Sequence, residues 1–284
     1  MADRMVNCAG ASEALPSPQW IGADHSPNDQ WLRNLSRRHA TSANLFCFPH
    51  AGGSAAAFRS WAAELPLGLQ VWAVQLPGRA NRFRQSPVDR MPALIDAVAE
   101  AMLPLLDRPF ACFGHSMGAV LAFEVAQRLV AMGHPAPAHL VVSARRPPHV
   151  HDGIADLHPL PDDEFVAEIV ARYGGIPPEL LSDREMLALL LPSLRADVTA
   201  IETFRPPRRP PLGCPITALG GARDRLTPRA HLEAWRSETT GVFRARVFPG
   251  DHFYLDSHRS ELLADLSTLL TPILPERQAL MAVA

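Results

Sequence analysis

The sequence predicts an α/β protein with a mostly parallel central sheet, helices on both faces of the sheet and one helical insertion. Short apolar runs alternate with longer segments whose apolar residues recur at helical spacing. Residues 147–210 interrupt this alternation with two helical patterns and no strand. Strands that are apolar throughout are typical of a parallel sheet buried between two layers of helices.

The predicted strands are brief apolar runs, most of which lead into or are bounded by glycine or proline. They are Leu45–Phe48, Val71–Leu76, Phe110–Phe113, Leu140–Ser143, Pro215–Leu219 and Phe243–Phe248. Apolar residues at helical spacing predict the core helices, which are Met91–Leu106, Met117–Met132 and about Glu261–Leu270. Elements in this order favour a single domain, to which the segments before and after the insertion both contribute.

The insertion is expected to cover the sheet as a lid. Its helices are predicted over Asp162–Tyr173 and Ser182–Phe204, and a capping box of Ser182 and Glu185 would open the second. Proline-rich stretches flank the segment, as hinges of a movable element would. The alternative, in which these helices simply add to the core, stays open.

The remaining chain divides around this insertion. Residues 42–146 and 211–275 are expected to form the core. Residues 1–41 are polar and proline-rich, and we expect a flexible extension with one short ordered piece around Trp31–Leu35. Residues 276–284 form a C-terminal tail.

Composition excludes several classes of protein. The chain has 284 residues, a formal net charge of −2 and 47% hydrophobic residues, so no basic excess points to nucleic acid. No apolar stretch approaches the ~20 residues that cross a bilayer, and the first twenty residues lack a signal-peptide core. The four cysteines form no CxxC pair, so we expect neither disulfides nor a metal or other cofactor. We also expect a cytoplasmic, monomeric protein.

Ser116 is the predicted nucleophile. Gly114-His115-Ser116-Met117-Gly118 matches G-x-S-x-G, and the motif directly follows a predicted strand and opens a predicted helix. This strand–turn–helix context is the nucleophile elbow of the α/β-hydrolase fold, in which the serine projects above the sheet. The alternative, a plain turn serine, leaves the two glycines and the flanking elements unexplained.

A serine hydroxyl needs a neighbouring base, which must follow it in the chain of an α/β hydrolase. His252 lies just after the last predicted strand, where open α/β sheets display catalytic groups. The rivals are less well placed, because His258 precedes the terminal helix and His231 falls within a helical pattern. His252 is therefore the predicted base.

Asp224 is the predicted acid that orients this base. It follows the strand Pro215–Leu219 in a Gly-Gly loop and precedes His252 in the order that the fold requires. Asp251 is adjacent to His252, and neighbouring side chains rarely face each other. Asp197 lies in an insertion helix and is expected to be structural.

Acyl transfer also needs two backbone N–H groups to hold an oxyanion. One is expected from Met117, the residue after the nucleophile, and the other from the loop that follows the first core strand. That loop contains Ala51, Gly52 and Gly53, and Ala51 is the candidate donor. His50 in the same loop is either a pocket residue or a packing residue.

As a set, these motifs resemble those of the type II thioesterases, stand-alone editing enzymes that accompany polyketide synthases and nonribosomal peptide synthetases. The resemblance covers about residues 44–270 and rests on five motifs, which are Phe48–Gly53, Gln75–Arg79, Gly114–Gly118, Gly221-x-x-Asp224 and Gly250–Phe253. One departure is Arg79-Ala80, where the family usually has Arg-Glu, so no acid is available for a role there.

The resemblance implies hydrolysis of acyl groups from the phosphopantetheine arm of acyl or peptidyl carrier proteins, and it implies a helical lid. The residues alone predict only a serine hydrolase with such an insertion, so a carboxylesterase or lipase-like enzyme remains an alternative. A carrier-binding scaffold with an idle triad is a third. The arginines beside the insertion would meet an acidic carrier surface or form a solvated hinge; they are Arg145, Arg146, Arg208 and Arg209.

Overall fold

A seven-stranded sheet forms the centre of the computed structural model, which describes residues 30–36, 41–151 and 153–274. The strands are β1 (Leu32–Asn34), β2 (Ala43–Phe48), β3 (Leu69–Val74), β4 (Phe110–His115), β5 (His139–Ser143), β6 (Ile216–Gly221) and β7 (Phe243–Phe248). Their spatial order is β1-β3-β2-β4-β5-β6-β7. All neighbours are parallel except β1, which pairs antiparallel with β3 at the edge.

The helices complete the layers. They are α1 (Trp61–Glu64), α2 (Met91–Met102), α3 (Met117–Ala131), α4 (Asp162–Tyr173), α5 (Pro178–Ser182), α6 (Arg184–Glu202), α7 (Arg229–Glu233), α8 (Tyr254–Ser257) and α9 (Arg259–Leu270). Among the described residues, none of them is long and apolar enough to span a membrane. The α/β architecture with a mostly parallel sheet that the sequence predicts is confirmed.

Alternation along the strands builds two separate cores, one on each face of the sheet. In β2, Phe46 and Phe48 point into the core shared with α2 and α3. Leu45 and Cys47 point into the opposite core, which α1 and α9 cover. Since both sets are fully buried, β2 lacks a polar face, which explains why its sequence is apolar throughout.

The predicted elements agree with the structure except at a few boundaries and one cap. The helix expected over Ser182–Phe204 is slightly shorter in the structure, because Ser182 is the last residue of α5 and α6 spans Arg184–Glu202. The predicted capping box was therefore wrong, because the N-cap of this helix is Asp183 and not Ser182. The Ser182 hydroxyl donates to the Glu179 carbonyl, while the Asp183 side chain accepts from the Met186 N–H at 3.0 Å and caps α6.

Outside the core, the ordered piece expected around Trp31–Leu35 is the edge strand β1. The rest of the expected extension, residues 1–29 and 37–40, lies outside the described residues, as does the tail 276–284. Helices α4 to α6 follow β5 and precede β6, and residues of α4 and α6 form a small apolar cluster together with Leu157. Its buried members are Leu157, Phe165, Ile169 and Val198.

The turn from β4 to α3 brings two backbones into direct contact. A Cβ on Gly118, in the first turn of α3, would collide with the carbonyl oxygens of Phe48 and Pro49 at the end of β2. A Cβ on Gly114 would collide with the backbone of Gly118 itself. Both glycines of the G-x-S-x-G motif are therefore required by packing.

We expect Gly118→Ala to lower the free energy of unfolding by about 1–3 kcal/mol or more, because the added methyl group overpacks a backbone contact that cannot move aside. Gly213→Ala is the matched control, since Gly213 has open space around its Cβ position and no left-handed backbone. Urea unfolding of both variants checks this, and equal stabilities would contradict the packing argument.

Candidate active site

Ser116 lies in the sharp turn between β4 and α3. Its backbone has φ +55° and ψ −118°, a conformation rarely adopted by non-glycine residues that costs about 1–3 kcal/mol. The Ser116 N–H donates to the Ser143 carbonyl at 2.8 Å, which ties the turn to the end of β5. The strained turn holds the hydroxyl at the carboxyl edge of the sheet, as the motif predicts.

His252 reaches this serine from the loop after β7. Its Nε2 lies 3.0 Å from the Ser116 Oγ, and its Nδ1 lies 2.8 Å from the Asp224 Oδ2. Because a carboxylate only accepts, Nδ1 carries the proton and Nε2 accepts from the serine hydroxyl. The tertiary structure therefore brings the three predicted residues into one hydrogen-bonded chain, although they are far apart in sequence.

Asp224 is buried in the loop after β6, with 6% of its surface exposed. Its Oδ1 accepts the N–H groups of Leu226 at 3.0 Å and Thr227 at 3.2 Å. Burial alone would raise the pKa of this carboxyl, but the hydrogen bond and charge of His252, together with the two N–H donors, lower its pKa below the ordinary value. The carboxylate is therefore anionic at neutral pH and suited to stabilise an imidazolium.

The two residues predicted to supply the oxyanion donors line the same cavity. Ala51 and Met117 both line the cavity beside Ser116 and His252. Within residues 30–36, 41–151 and 153–274, neither N–H donates a hydrogen bond to another protein group. Met117 is the first residue of α3, where N–H groups have no partner inside the helix and the helix dipole favours negative charge.

A cavity of about 430 Å³ opens between this site and the insertion, and both apolar and polar side chains line it. Its floor is formed by Ser116, Met117 and His252, and much of its wall comes from α4 and α6. The apolar wall residues of those helices include Ile169, Leu187, Leu190, Leu191, Leu194 and Val198. A volume of this size is typical of a site for a small organic ligand.

Aromatic rings surround the imidazole of His252. Tyr173 at the end of α4 packs edge-on at 5.1 Å between ring centroids, and Phe253 does so at 5.2 Å. The His115 ring lies at 5.3 Å. Sequence patterns do not identify Tyr173 as a site residue, because nothing in the α4 pattern shows which of its residues reaches the sheet.

His50 is both a cavity residue and a packing residue, which settles the alternative left open by the sequence. It lines the cavity and packs edge-on against Phe253 at 5.0 Å. Burial lowers its pKa to about 4, with smaller contributions from the charges of His252 and Arg79. Its imidazole is therefore neutral at neutral pH.

His115 is buried next to the nucleophile. Its Nδ1 lies 2.9 Å from the Ser143 Oγ, which in turn lies 2.6 Å from the Tyr254 hydroxyl. Burial, followed by the charges of His252 and His50, lowers the pKa of His115 well below 6.5. These groups support the ends of β4 and β5 beneath Ser116.

The rival residues take other roles. His231 lies near Leu226, its Nδ1 being 3.1 Å from that carbonyl, and His258 is the residue directly before α9. Asp251 accepts the Phe253 N–H at 3.0 Å instead of contacting the imidazole. Among the described residues, no group of three or more histidine, cysteine or acidic side chains is arranged to hold a metal.

Asp197 and Arg79 form a buried ion pair beside the site, which the sequence analysis missed. The Arg79 Nη2 donates to the Asp197 Oδ1 at 2.8 Å, and Nη1 donates to Oδ2. No local sequence pattern signals such a pair, because the two residues are 118 positions apart. The contacts of Asp197 also reach the loop that carries Ala51, since its carboxylate accepts the Gly52 N–H.

Comparisons with known proteins agree with this geometry. The family model described as a thioesterase domain matches residues 43–270. The gramicidin S biosynthesis protein GrsT of Aneurinibacillus migulanus is 39% identical over 83% of this chain and 91% of its own length. Thioesterase PikA5 of Streptomyces venezuelae is 37% identical over 84% of each chain. The structure of BorB, a type II thioesterase from the borrelidin biosynthetic cluster, is 37% identical with a TM-score of 0.78, over 87% of this chain and all of that one.

We expect the free energy of unfolding to fall as the pH is lowered from about 6.5 towards 4. The folded pKa of His50 lies below its ordinary value of 6.5, so in this window the unfolded chain binds a proton that the folded protein excludes. His115 acts in the same direction. Urea unfolding at pH 7, 6 and 5 should show a smaller loss of stability for His50→Gln than for the wild type.

His151→Gln is the control for this experiment, because the His151 side chain is exposed at the surface. It should keep the wild-type dependence on pH. An unchanged slope in His50→Gln would show that His50 does not contribute.

Proposed function

Because the chain belongs to the thioesterase domain family, we propose that it is a type II, editing thioesterase of polyketide or nonribosomal peptide biosynthesis. Its substrates would be acyl groups on the phosphopantetheine arm of acyl or peptidyl carrier proteins, and it would remove aberrant or stalled chains. The observation that carries this proposal is the Ser116–His252–Asp224 hydrogen-bonded chain, whose serine and histidine lie at the floor of the cavity, within the matched residues.

The proposed reaction begins with attack of the Ser116 Oγ on the thioester carbonyl. His252 Nε2 accepts the serine proton, and Asp224 stabilises the imidazolium. The N–H groups of Ala51 and Met117 hold the oxyanion of the tetrahedral intermediate. Collapse of the intermediate breaks the C–S bond, releases the phosphopantetheine thiol with the proton from His252, and leaves an acyl-serine.

Water completes the cycle. His252 takes a proton from a water molecule that attacks the acyl-serine, and a second tetrahedral intermediate forms. The same two N–H groups hold its oxyanion. Its collapse releases the carboxylic acid and returns the proton to the Ser116 Oγ. These residues carry out the whole cycle by acid–base and nucleophilic catalysis.

The division of the chain fits this chemistry. We propose that residues 42–146 and 211–275 form the catalytic core and that residues 147–210 form a lid. The lid is supported by the position of α4 and α6 over the cavity and by their separate apolar cluster. An acyl chain that enters between sheet and insertion would be surrounded by apolar side chains and shielded from water.

The proposed partner is the carrier domain, which the enzyme would meet as a monomer in the cytoplasm. Cys47, Cys112 and Cys214 are free, buried thiols, as is usual in a reducing compartment. Of the arginines beside the insertion, Arg209 pairs with the buried Glu124 and so anchors the segment that leads from the insertion back to the core. Arg145 and Arg146 line the cavity and are the better candidates to face an acidic carrier surface.

We expect the purified chain to hydrolyse acyl-carrier thioesters faster than matched oxygen esters, and Ser116→Ala to lower kcat by about 10⁴-fold or more. Turnover of both substrate classes with the same acyl group provides the measurement. A strong preference for oxygen esters would favour a carboxylesterase. Failure of Ser116 to react with a fluorophosphonate would instead indicate a scaffold with an idle triad.

We expect Asp224→Asn to lower kcat by about 10²–10⁴-fold, because an amide would donate to His252 Nδ1 and leave Nε2 protonated. The imidazole would then be unable to accept the serine proton. Asp251→Asn is the matched control, since that side chain can still accept the Phe253 N–H. Steady-state kinetics on one acyl-carrier substrate measures both variants, and equal kcat values would remove Asp224 from the mechanism.

A further inference from the structure

The buried carboxylate of Asp197, on helix α6, contacts the loop that carries a proposed oxyanion donor. Its Oδ2 accepts the Gly52 N–H at 2.8 Å. Gly52 directly follows Ala51, so this bond fixes the peptide unit next to the Ala51 N–H. The Asp197 side chain is 1% exposed, which excludes water as a competing partner.

Arg79 fixes the direction of this carboxylate. Its guanidinium, 5% exposed, pairs with both oxygens of Asp197. It also donates to the Gly53 carbonyl at 3.3 Å and to the Pro77 carbonyl at 3.2 Å. One guanidinium thus joins α6, the loop after β2 and the turn after β3, and its planar fork leaves the carboxylate little freedom to rotate.

Packing reinforces these bonds. Gly52 has φ +75°, a left-handed conformation that favours glycine, and a Cβ there would lie 3.0 Å from the Leu194 Cδ1. Leu194 precedes Asp197 by one helical turn, so both residues use the same face of α6 against the same glycine. The loop is therefore held by a hydrogen bond and by contact with an apolar side chain.

The anchored part of α6 is its C-terminal half. Residues 193, 197, 198 and 200 are buried, whereas the first turns of the helix are largely exposed. Pro192 separates the two halves and removes one hydrogen bond of the helix. At the far end, Glu202 accepts the N–H groups of Leu157 and His158, each at 2.9 Å.

We propose that Asp197, oriented by Arg79, is a positioning residue that holds the Ala51 N–H in the oxyanion hole from the insertion helix. The inference rests on the proposed function, in which Ala51 is one of the two donors. A buried ion pair is often no more stabilising than well-packed apolar residues, so fold stability alone does not account for it. The insertion then completes the catalytic site as well as covering it.

Two double variants separate positioning from stability. Arg79→Met/Asp197→Asn and Arg79→Met/Asp197→Leu both lack the ion pair and have side chains of similar volume at position 197. Only the asparagine offers an oxygen to the Gly52 N–H. Thermal unfolding of both proteins measures the structural contribution, and hydrolysis of one acyl-pantetheine thioester measures kcat and KM separately.

We expect kcat of the leucine variant to be about 100-fold below that of the asparagine variant, the usual effect of losing one oxyanion donor, with little change in KM. Affinity for an acyl trifluoromethyl ketone should fall by a similar factor, because its oxyanion occupies the same donors only in the adduct with Ser116. Equal kcat and equal inhibitor affinity in the two variants would overturn the inference.

Asp197→Glu is a second test if the leucine variant does not fold. It keeps a carboxylate beside Arg79 but moves it by one methylene group. We expect kcat to fall at least about tenfold with KM unchanged, since an oxyanion donor acts on the transition state. A wild-type kcat would count against the proposal.

Different outcomes would reveal a failure of the proposed function and a failure of the role inferred for Asp197. If the wild type does not hydrolyse carrier thioesters, a p-nitrophenyl ester and the trifluoromethyl ketone still report on the oxyanion donors. A difference between the double variants with those probes would support the inference while the proposed function falls. Equal variants on a thioester that the wild type hydrolyses would remove only the inference.

Discussion

The close passage of β4 and α3 around Ser116 is the constraint on which the rest of the site depends. The left-handed backbone of Ser116 allows a strand to enter a helix without an intervening loop. It places the hydroxyl at the carboxyl edge of the sheet and the free N–H of Met117 beside it. Because the two backbones and the end of β2 then touch directly, glycine is required at positions 114 and 118.

A parallel sheet brings the other groups to the same edge. The loops after β2, β6 and β7 carry Ala51, Asp224 and His252, and parallel strands end on one side of the sheet. Loops of modest length therefore assemble the proposed nucleophile, base, acid and two N–H donors from distant parts of the chain. The rigid sheet sets the distances, and burial strengthens each hydrogen bond by excluding water.

The insertion makes the upper half of the cavity. Tyr173 rests against the imidazole of His252, and the apolar residues of α6 form the wall where an acyl chain would lie. In the proposed arrangement, Asp197 also gives this segment a part in the alignment of the oxyanion donors. Covering the site and completing it are then two effects of the same helix packing.

Local sequence patterns predicted much of the fold and of the candidate site. The strands, the elbow and the loop positions of Asp224 and His252 follow from apolar periodicity and from residues that turns require, which are properties of neighbouring residues. The cap of α6 was misplaced by one position because Ser182 and Asp183 both suit a helix start, and only the competing hydrogen bond to Glu179 decides between them. The edge strand β1 was expected only as an ordered piece, since a strand of three residues has too little pattern to identify.

The sequence by itself determined the α/β class, the serine turn and the candidates for base and acid, because each depends on spacing within a short segment. Only the tertiary structure decided which histidine meets Ser116, where Tyr173 lies and that Arg79 pairs with Asp197. Those contacts join residues that are far apart along the chain, and their distances are set by the packing of sheet and helices. Burial and charge at such contacts also set the pKa of His50, which no local pattern contains.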